Sequence, residues 1–212
     1  MTEVEKNATK EKIMDVAEAL FSRRGFEGTS VREIAKESGA NIASINYYFK
    51  NKHGLYWAVM DKAHLKLEEG VREATTRVDS VEDLAIETLN FILKEKRAFR
   101  NALKMMVGEE GIPEPDGGIE DLYCSRQCGP PGGQYFGQML ENEVKTNDEA
   151  MLQYGVMVIF SLVVQWGILL LSPKFPIMQK ADPTFNKDSF DELIRHHCRA
   201  TIQYMKKPAP QK

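Results

Sequence analysis

At 212 residues, with 28% charged and 42% hydrophobic side chains and a net charge of -3, the chain has the composition of a soluble globular protein of one large or two unequal domains. That balance excludes a disordered or fibrous chain and leaves no global positive field for nucleic acid. Any such field must be local, and the bias is slight: the first sixty residues carry nine Lys or Arg against eight Asp or Glu, the remainder nineteen against twenty-three.

Helical periodicity runs through the chain, with no convincing apolar-polar alternation, so the fold class is all-α. A first helix is expected from about Thr9, a candidate N-cap, with Ile13, Ala17, Leu20 and Phe21 on one face and an end at Arg23-Arg24-Gly25. Ser30-Val31-Arg32-Glu33 reads as a capping box that opens a short second helix, and Gly39 closes it nine residues later. Asn41 can cap a third helix. On it Ile42, Ile45 and Phe49 fall to one side, and Ala43, Ser44, Asn46 and Tyr47 to the other. Leu55 to about Arg77 predicts a long fourth helix. Ser80 begins a fifth, with Leu84, Leu89, Ile92, Leu93, Phe99, Leu103 and Met106 as its apolar complement.

From Gly108 to Gly133 glycines and prolines crowd the chain, and no continuous helix is expected. Helical signal resumes near Gln134, continues to Leu171, breaks at Pro173, Pro176 and Pro183, and returns from Asp188 to Lys206 with a stripe of Phe190, Leu193, Ile194, His197, Thr201 and Tyr204. Met151 to Leu171 is uncharged and long enough to cross a bilayer of about 30 Å. Its glutamines, serine and glycines, and the polar chain on both sides, favour a buried helix and no membrane partner. The tail after Pro208 is expected to be loose.

Three short helices with a tight Gly39-Ala40-Asn41 turn suit a helix-turn-helix, in which the small Ala35 permits close approach and Ile34 and Ile45 wedge between helices. The run Thr29-Ser30-Val31-Arg32-Glu33-Ile34-Ala35-Lys36-Glu37-Ser38-Gly39-Ala40, then Ile45-Asn46-Tyr47-Tyr48-Phe49-Lys50-Asn51-Lys52, then Leu55, closely resembles the DNA-binding domain of the tetracycline-repressor (TetR) family. The match covers about residues 9 to 60, and His53 and Gly54 stand where acidic residues are frequent in that family. The resemblance implies a helix-turn-helix over residues 1–54, a helical ligand-binding and dimerisation domain over 55–207 and a tail over 208–212. It also implies a cytoplasmic homodimer that binds palindromic double-stranded operator DNA, a repressor released by a small effector. Tyr47, Ser44 and Ala43 would face the major groove, and Tyr48, Lys52, Thr29 and Ser30 would hold phosphates. Asn46 has a side chain suited to bidentate base pairing.

Three cysteines, Cys124, Cys128 and Cys198, are an odd number, and the N-terminus lacks the basic-then-apolar run of a signal peptide, which together indicate a reducing compartment. Their spacing is not that of a paired zinc motif, and sensing of oxidation or metal through them is the alternative to an organic effector. An apolar or aromatic effector is expected to meet Phe99, Leu103, Met106, Met139, Tyr154, Met157 and Trp166, next to the Gly108–Gly133 loop. A two-fold interface is expected from Met157, Phe160, Val163, Val164, Leu193, His197 and Thr201. No catalytic motif, metal site or cofactor fingerprint is present, which argues against an enzyme.

Overall fold

A computed structural model describes residues 3–107 and 129–207. The fold is all-α, and among the described residues there is no strand. The helices are α1 (Glu3–Arg24), α2 (Val31–Ser38), α3 (Ile42–Phe49), α4 (Lys52–Thr75), α5 (Val81–Lys94), α6 (Lys96–Met106), α7 (Gly133–Val144), α8 (Glu149–Leu170), α9 (Phe175–Ala181) and α10 (Lys187–Met205).

Two compact units form, and they are not contiguous in sequence. The first gathers residues 3–65 with 97–107. Its core holds Ile13, Ala17, Leu20 and Phe21 of α1, Ile34 and Ala35 of α2, Ile45 and Phe49 of α3, and Leu55, Tyr56 and Trp57 of α4, with Met105 of α6 among them. The expected boundary at residue 54 therefore misses two things: α4 begins in this unit, and α6 belongs to it. Tyr56, buried, donates its hydroxyl to the Met105 carbonyl at 2.8 Å, and Asn101 donates to Glu18 at 2.7 Å. One of the carbonyls that a helix C-terminus leaves without a partner inside the helix is thus satisfied by the N-terminal core.

The second unit, residues 66–96 and 129–207, packs α5, α7, α8 and α10 around Leu84, Leu89, Ile92, Phe136, Leu140, Ile159, Val163, Ile194 and Cys198. Gly70 of α4 lies so close to α5 that a β-carbon there would stand 2.6 Å from the Phe91 ring. Glu82 accepts a two-pronged contact from the Arg199 guanidinium at 2.9 and 3.1 Å, tying α5 to α10. Tyr154 meets Tyr204 at 5.8 Å and Trp166 meets Phe190 at 4.6 Å, so α8 and α10 run antiparallel.

Several boundaries differ from the sequence expectation. Thr9 does not cap α1: it sits inside the helix, its hydroxyl donating to the Glu5 carbonyl. The helix expected from Ser80 through Met106 is two, broken at Glu95. The one expected from Gln134 to Leu171 is also two, because Lys145 turns left-handed (φ 60°) and Asp148 caps a new start. A short α9 forms between the prolines expected to keep the chain irregular, with Pro176 in its first turn, where a missing N–H costs nothing. Most of the Gly108–Gly133 segment, with Cys124 and Cys128, and the tail from Pro208 lie outside the described residues.

Candidate nucleic-acid interface

The second and third helices are set by their caps. The Ser30 hydroxyl accepts from the Glu33 amide at 3.2 Å, while the Glu33 carboxylate accepts from the Ser30 amide at 3.2 Å and from the Ser30 hydroxyl at 3.0 Å. These bonds and the Arg24 guanidinium at 2.7 Å hold the Glu33 carboxyl below its ordinary pKa. Gly39 ends α2 at φ 67°, a left-handed turn, and Asn41 then caps α3 by accepting from the Ser44 amide at 2.7 Å. Ile34 and Ile45 are fully buried between the helices, as their spacing requires.

What remains outside is the surface of α3. Ala43, Asn46 and Tyr47 are exposed, Tyr47 at 73%, Ser44 and Tyr48 are half-buried, and Tyr47 meets Tyr48 edge-on at 5.2 Å. Ile42, expected on the buried side, is 41% exposed and joins this surface. From Ser38 to Phe49 there is no charged residue, so the helix presents a hydroxyl, an amide, methyl groups and aromatic rings and no formal charge. Such a surface is chemically able to touch thymine methyls and base-edge donors and acceptors.

Two residues expected at phosphates are otherwise engaged. Thr29 is buried, with its hydroxyl donating to the Gly25 carbonyl at 2.8 Å, because the chain must turn sharply between α1 and α2. Lys52 reaches back 26 residues: its ammonium donates to the Phe26 carbonyl at 2.9 Å and the Thr29 carbonyl at 3.3 Å, and lies 4.0 Å above the centre of the Phe26 ring. It clasps the α1–α2 turn to the start of α4. The sequence offered no signal for that, since the contact is far away along the chain.

The residues expected around an effector are divided. Phe99, Leu103 and Met106 belong to the first unit, and Met139, Tyr154, Met157 and Trp166 to the second. Met106, Tyr154 and Met157 are each about half exposed, so they line no interior. Trp166 packs on Phe190, and its indole N–H is buried without a hydrogen-bond partner.

The expected interface residues divide as well. Phe160, Val163 and Thr201 are buried in the second unit's own core, whereas Met157, Leu193 and His197 are exposed and Val164 half-buried. The stripe expected on α10 is offset: Cys198, Ile202 and Met205 face inward with Phe190 and Ile194, leaving Leu193, His197 and Tyr204 outside. On α8 the outward face from residue 153 on carries the exposed Gln153, Tyr154, Met157, Ser161, Gln165 and Ile168, with Val164 half-buried among them. By length and composition α8 could cross a membrane, yet here one face packs against α5, α7 and α10. Cys198 is fully buried, and burial pushes its thiol up to about 12.

Residues 13–59 match the family model of bacterial regulatory proteins of the tetR family. A probable HTH-type transcriptional regulator of Bacillus subtilis strain 168, YttP, is 27% identical over 199 residues, covering 89% of this chain and 91% of its own length. The negative regulator of the biofilm operon icaADBC in Staphylococcus aureus strain Newman, IcaR, is 43% identical over 47 residues, 22% of this chain and 25% of its own. Among solved structures, the SmeT–triclosan complex shares the fold, with a TM-score of 0.54 and 18% identity over 96% of this chain and all of that one.

Proposed function

The chain belongs to the TetR family of transcriptional regulators and is not an enzyme, and from that premise we propose that it is a dimeric repressor, released from operator DNA by a small apolar or aromatic molecule. The observation that carries the DNA half of the proposal is the exposed, charge-free surface of α3 behind a fully formed capping box. Ala43, Ser44, Asn46 and Tyr47 read base edges in the major groove, and Ser30 and Tyr48 steady the backbone. Readout leans on methyl and aromatic contacts and on DNA shape, because Asn46 is the one side chain there suited to a bidentate bond to a base.

Two copies associate through the outward faces of α8 and α10. Together they display the exposed Tyr154, Met157, Leu193 and Tyr204 beside the half-buried Val164, an apolar surface of the kind that marks a protein contact. A two-fold pairing of these antiparallel helices makes a four-helix contact and gives the operator its palindromic symmetry.

The effector reading draws support from two features. IcaR is described as a negative regulator and SmeT was solved with triclosan. Trp166, with its unpartnered indole N–H among Phe175, Phe185 and Phe190, marks an aromatic region of the second unit that suits a flat ligand carrying an acceptor. A ligand that favours the DNA-free form a hundredfold shifts the equilibrium by about 2.7 kcal/mol.

The test selects duplexes from a random pool with the purified protein and screens apolar and aromatic compounds against the selected site. A palindromic consensus that blurs in Tyr47→Ala, and compounds that release the site, are the expected results. Release by oxidant or metal alone would transfer the sensing role to Cys124 and Cys128.

A further inference from the structure

Nucleic acid is a polyanion, and a protein grips it by releasing condensed counterions with Lys and Arg near the phosphates. Here the segment Ser38 to Phe49 has none. The cations that follow it in the chain are Lys50 and Lys52; Lys10 of α1 stands 6.0 Å from the centre of the Phe49 ring, and the ammonium of Lys52 already serves two backbone carbonyls and the Phe26 ring. Lys50 is different. It is exposed, and among the described residues it makes no ion pair. It also holds an unusual backbone: φ is 67° and ψ is -52°, while the Asn51 amide donates to the Phe49 carbonyl at 2.8 Å, closing a three-residue turn.

That turn is the rare, strained γ form, disfavoured for any residue with a β-carbon. Glycine would adopt the conformation at far less cost. At the matching position after α2 the chain uses Gly39, and Lys145, which ends α7 at φ 60° and ψ 47°, sits in the ordinary left-handed well and not in the γ form that Lys50 adopts. A strained non-glycine residue persists only where the surrounding structure over-determines it, and such residues cluster at functional sites.

We propose that Lys50 is a DNA-phosphate ligand, held at the end of α3 by this turn, and that it supplies the charge the recognition helix lacks. The proposal rests on the DNA-binding reading of α3. Its backbone amide, donating to the Asn46 carbonyl at 2.9 Å, ties the lysine directly to the last turn of the helix that presents Asn46 and Tyr47.

Stability and affinity should therefore move in opposite directions on substitution. Lys50→Gly relieves the turn and removes the charge. Its melting temperature should rise by a few degrees, while affinity for a duplex of arbitrary sequence falls several-fold at low salt. The slope of log affinity against log salt should shrink by about 0.9 for each subunit bound. Lys50→Gln, with the turn kept and the charge lost, should show the reduced slope at unchanged melting temperature. Lys50→Arg should retain the parent slope. A Gly variant that gains stability while affinity and slope stay at parent values would overturn the assignment, as would a Gln variant with the parent slope. Failure of the underlying reading looks different: the unaltered protein itself would then show no salt-dependent binding to duplex DNA.

Discussion

Met157→Asp distinguishes a true subunit contact from a residue of the subunit's own core. In the isolated chain Met157 is 48% exposed on α8, so an aspartate there costs the monomer little, within about 0.5 kcal/mol as for most surface substitutions. In a two-fold dimer every change counts twice. Fully burying a methionine is worth about 1.5–3 kcal/mol, and with half of the side chain already covered, pairing adds about 1 kcal/mol per subunit. Each carboxylate then enters an apolar contact without a partner and adds at least about 1 kcal/mol more. The sum is about 4 kcal/mol, or about a thousandfold in the dimer dissociation constant. Analytical ultracentrifugation across a concentration series, with circular dichroism to verify helix content, reads this directly. Val163→Asp is the contrast: fully buried within the second unit, it should cost the chain its fold rather than its partner. A Met157→Asp protein that sediments as a dimer at parent concentrations, or an unfolded one, would refute the reasoning.

Three further outcomes follow from the same geometry. Lys52→Ala removes the donor to the Phe26 and Thr29 carbonyls and should lower unfolding stability by about 1–3 kcal/mol in urea titrations, with operator preference unchanged. Gly70→Ala drives a methyl into the Phe91 ring and should destabilise by about 1–3 kcal/mol in thermal melts, outweighing the roughly 1 kcal/mol that alanine otherwise contributes to a helix. Cys198, whose thiol is raised to about 12 from an ordinary 9.0, stays neutral at physiological pH and should resist maleimide labelling until the chain unfolds. Its folded form favours the protonated thiol, so its stabilising effect is complete below pH 9 and falls away as pH rises from 9 towards 12. Alkaline unfolding curves of the parent against Cys198→Ala isolate that loss.

Much of the first fifty residues was legible because the signals there are local. A serine followed three residues later by glutamate makes a capping box from neighbours alone, and Gly39 and Asn41 punctuate the chain at the observed positions. Local reading failed where a partner lies far away in sequence. Nothing near Lys52 announces that its ammonium turns back to Phe26, and nothing near Met105 announces its place in the N-terminal core, with its carbonyl on Tyr56. On α10, Leu193 and His197 continue an apolar stripe as well as Cys198 and Ile202 do. A sequence window cannot tell which edge of a broad stripe meets α5 and α7 and which is left outside.

The membership of α6 in the first unit has a consequence for modularity. A helix-turn-helix is often pictured as a head that recombination can graft onto any body, with a join soon after the third helix. Here a cut at residue 54 or 65 deprives Glu18 of the Asn101 amide and opens the place in the core that Met105 fills, and a cut at 65 also deprives Tyr56 of the Met105 carbonyl. A chimera that exchanges only the first sixty residues inherits a head whose floor was supplied by the donor's α6. Grafts should thus succeed only when α6 travels too, or when the recipient's own sixth helix presents an equivalent apolar residue and carbonyl. Specificity in such a lineage would then drift chiefly by substitution along α3 rather than by exchange of whole heads.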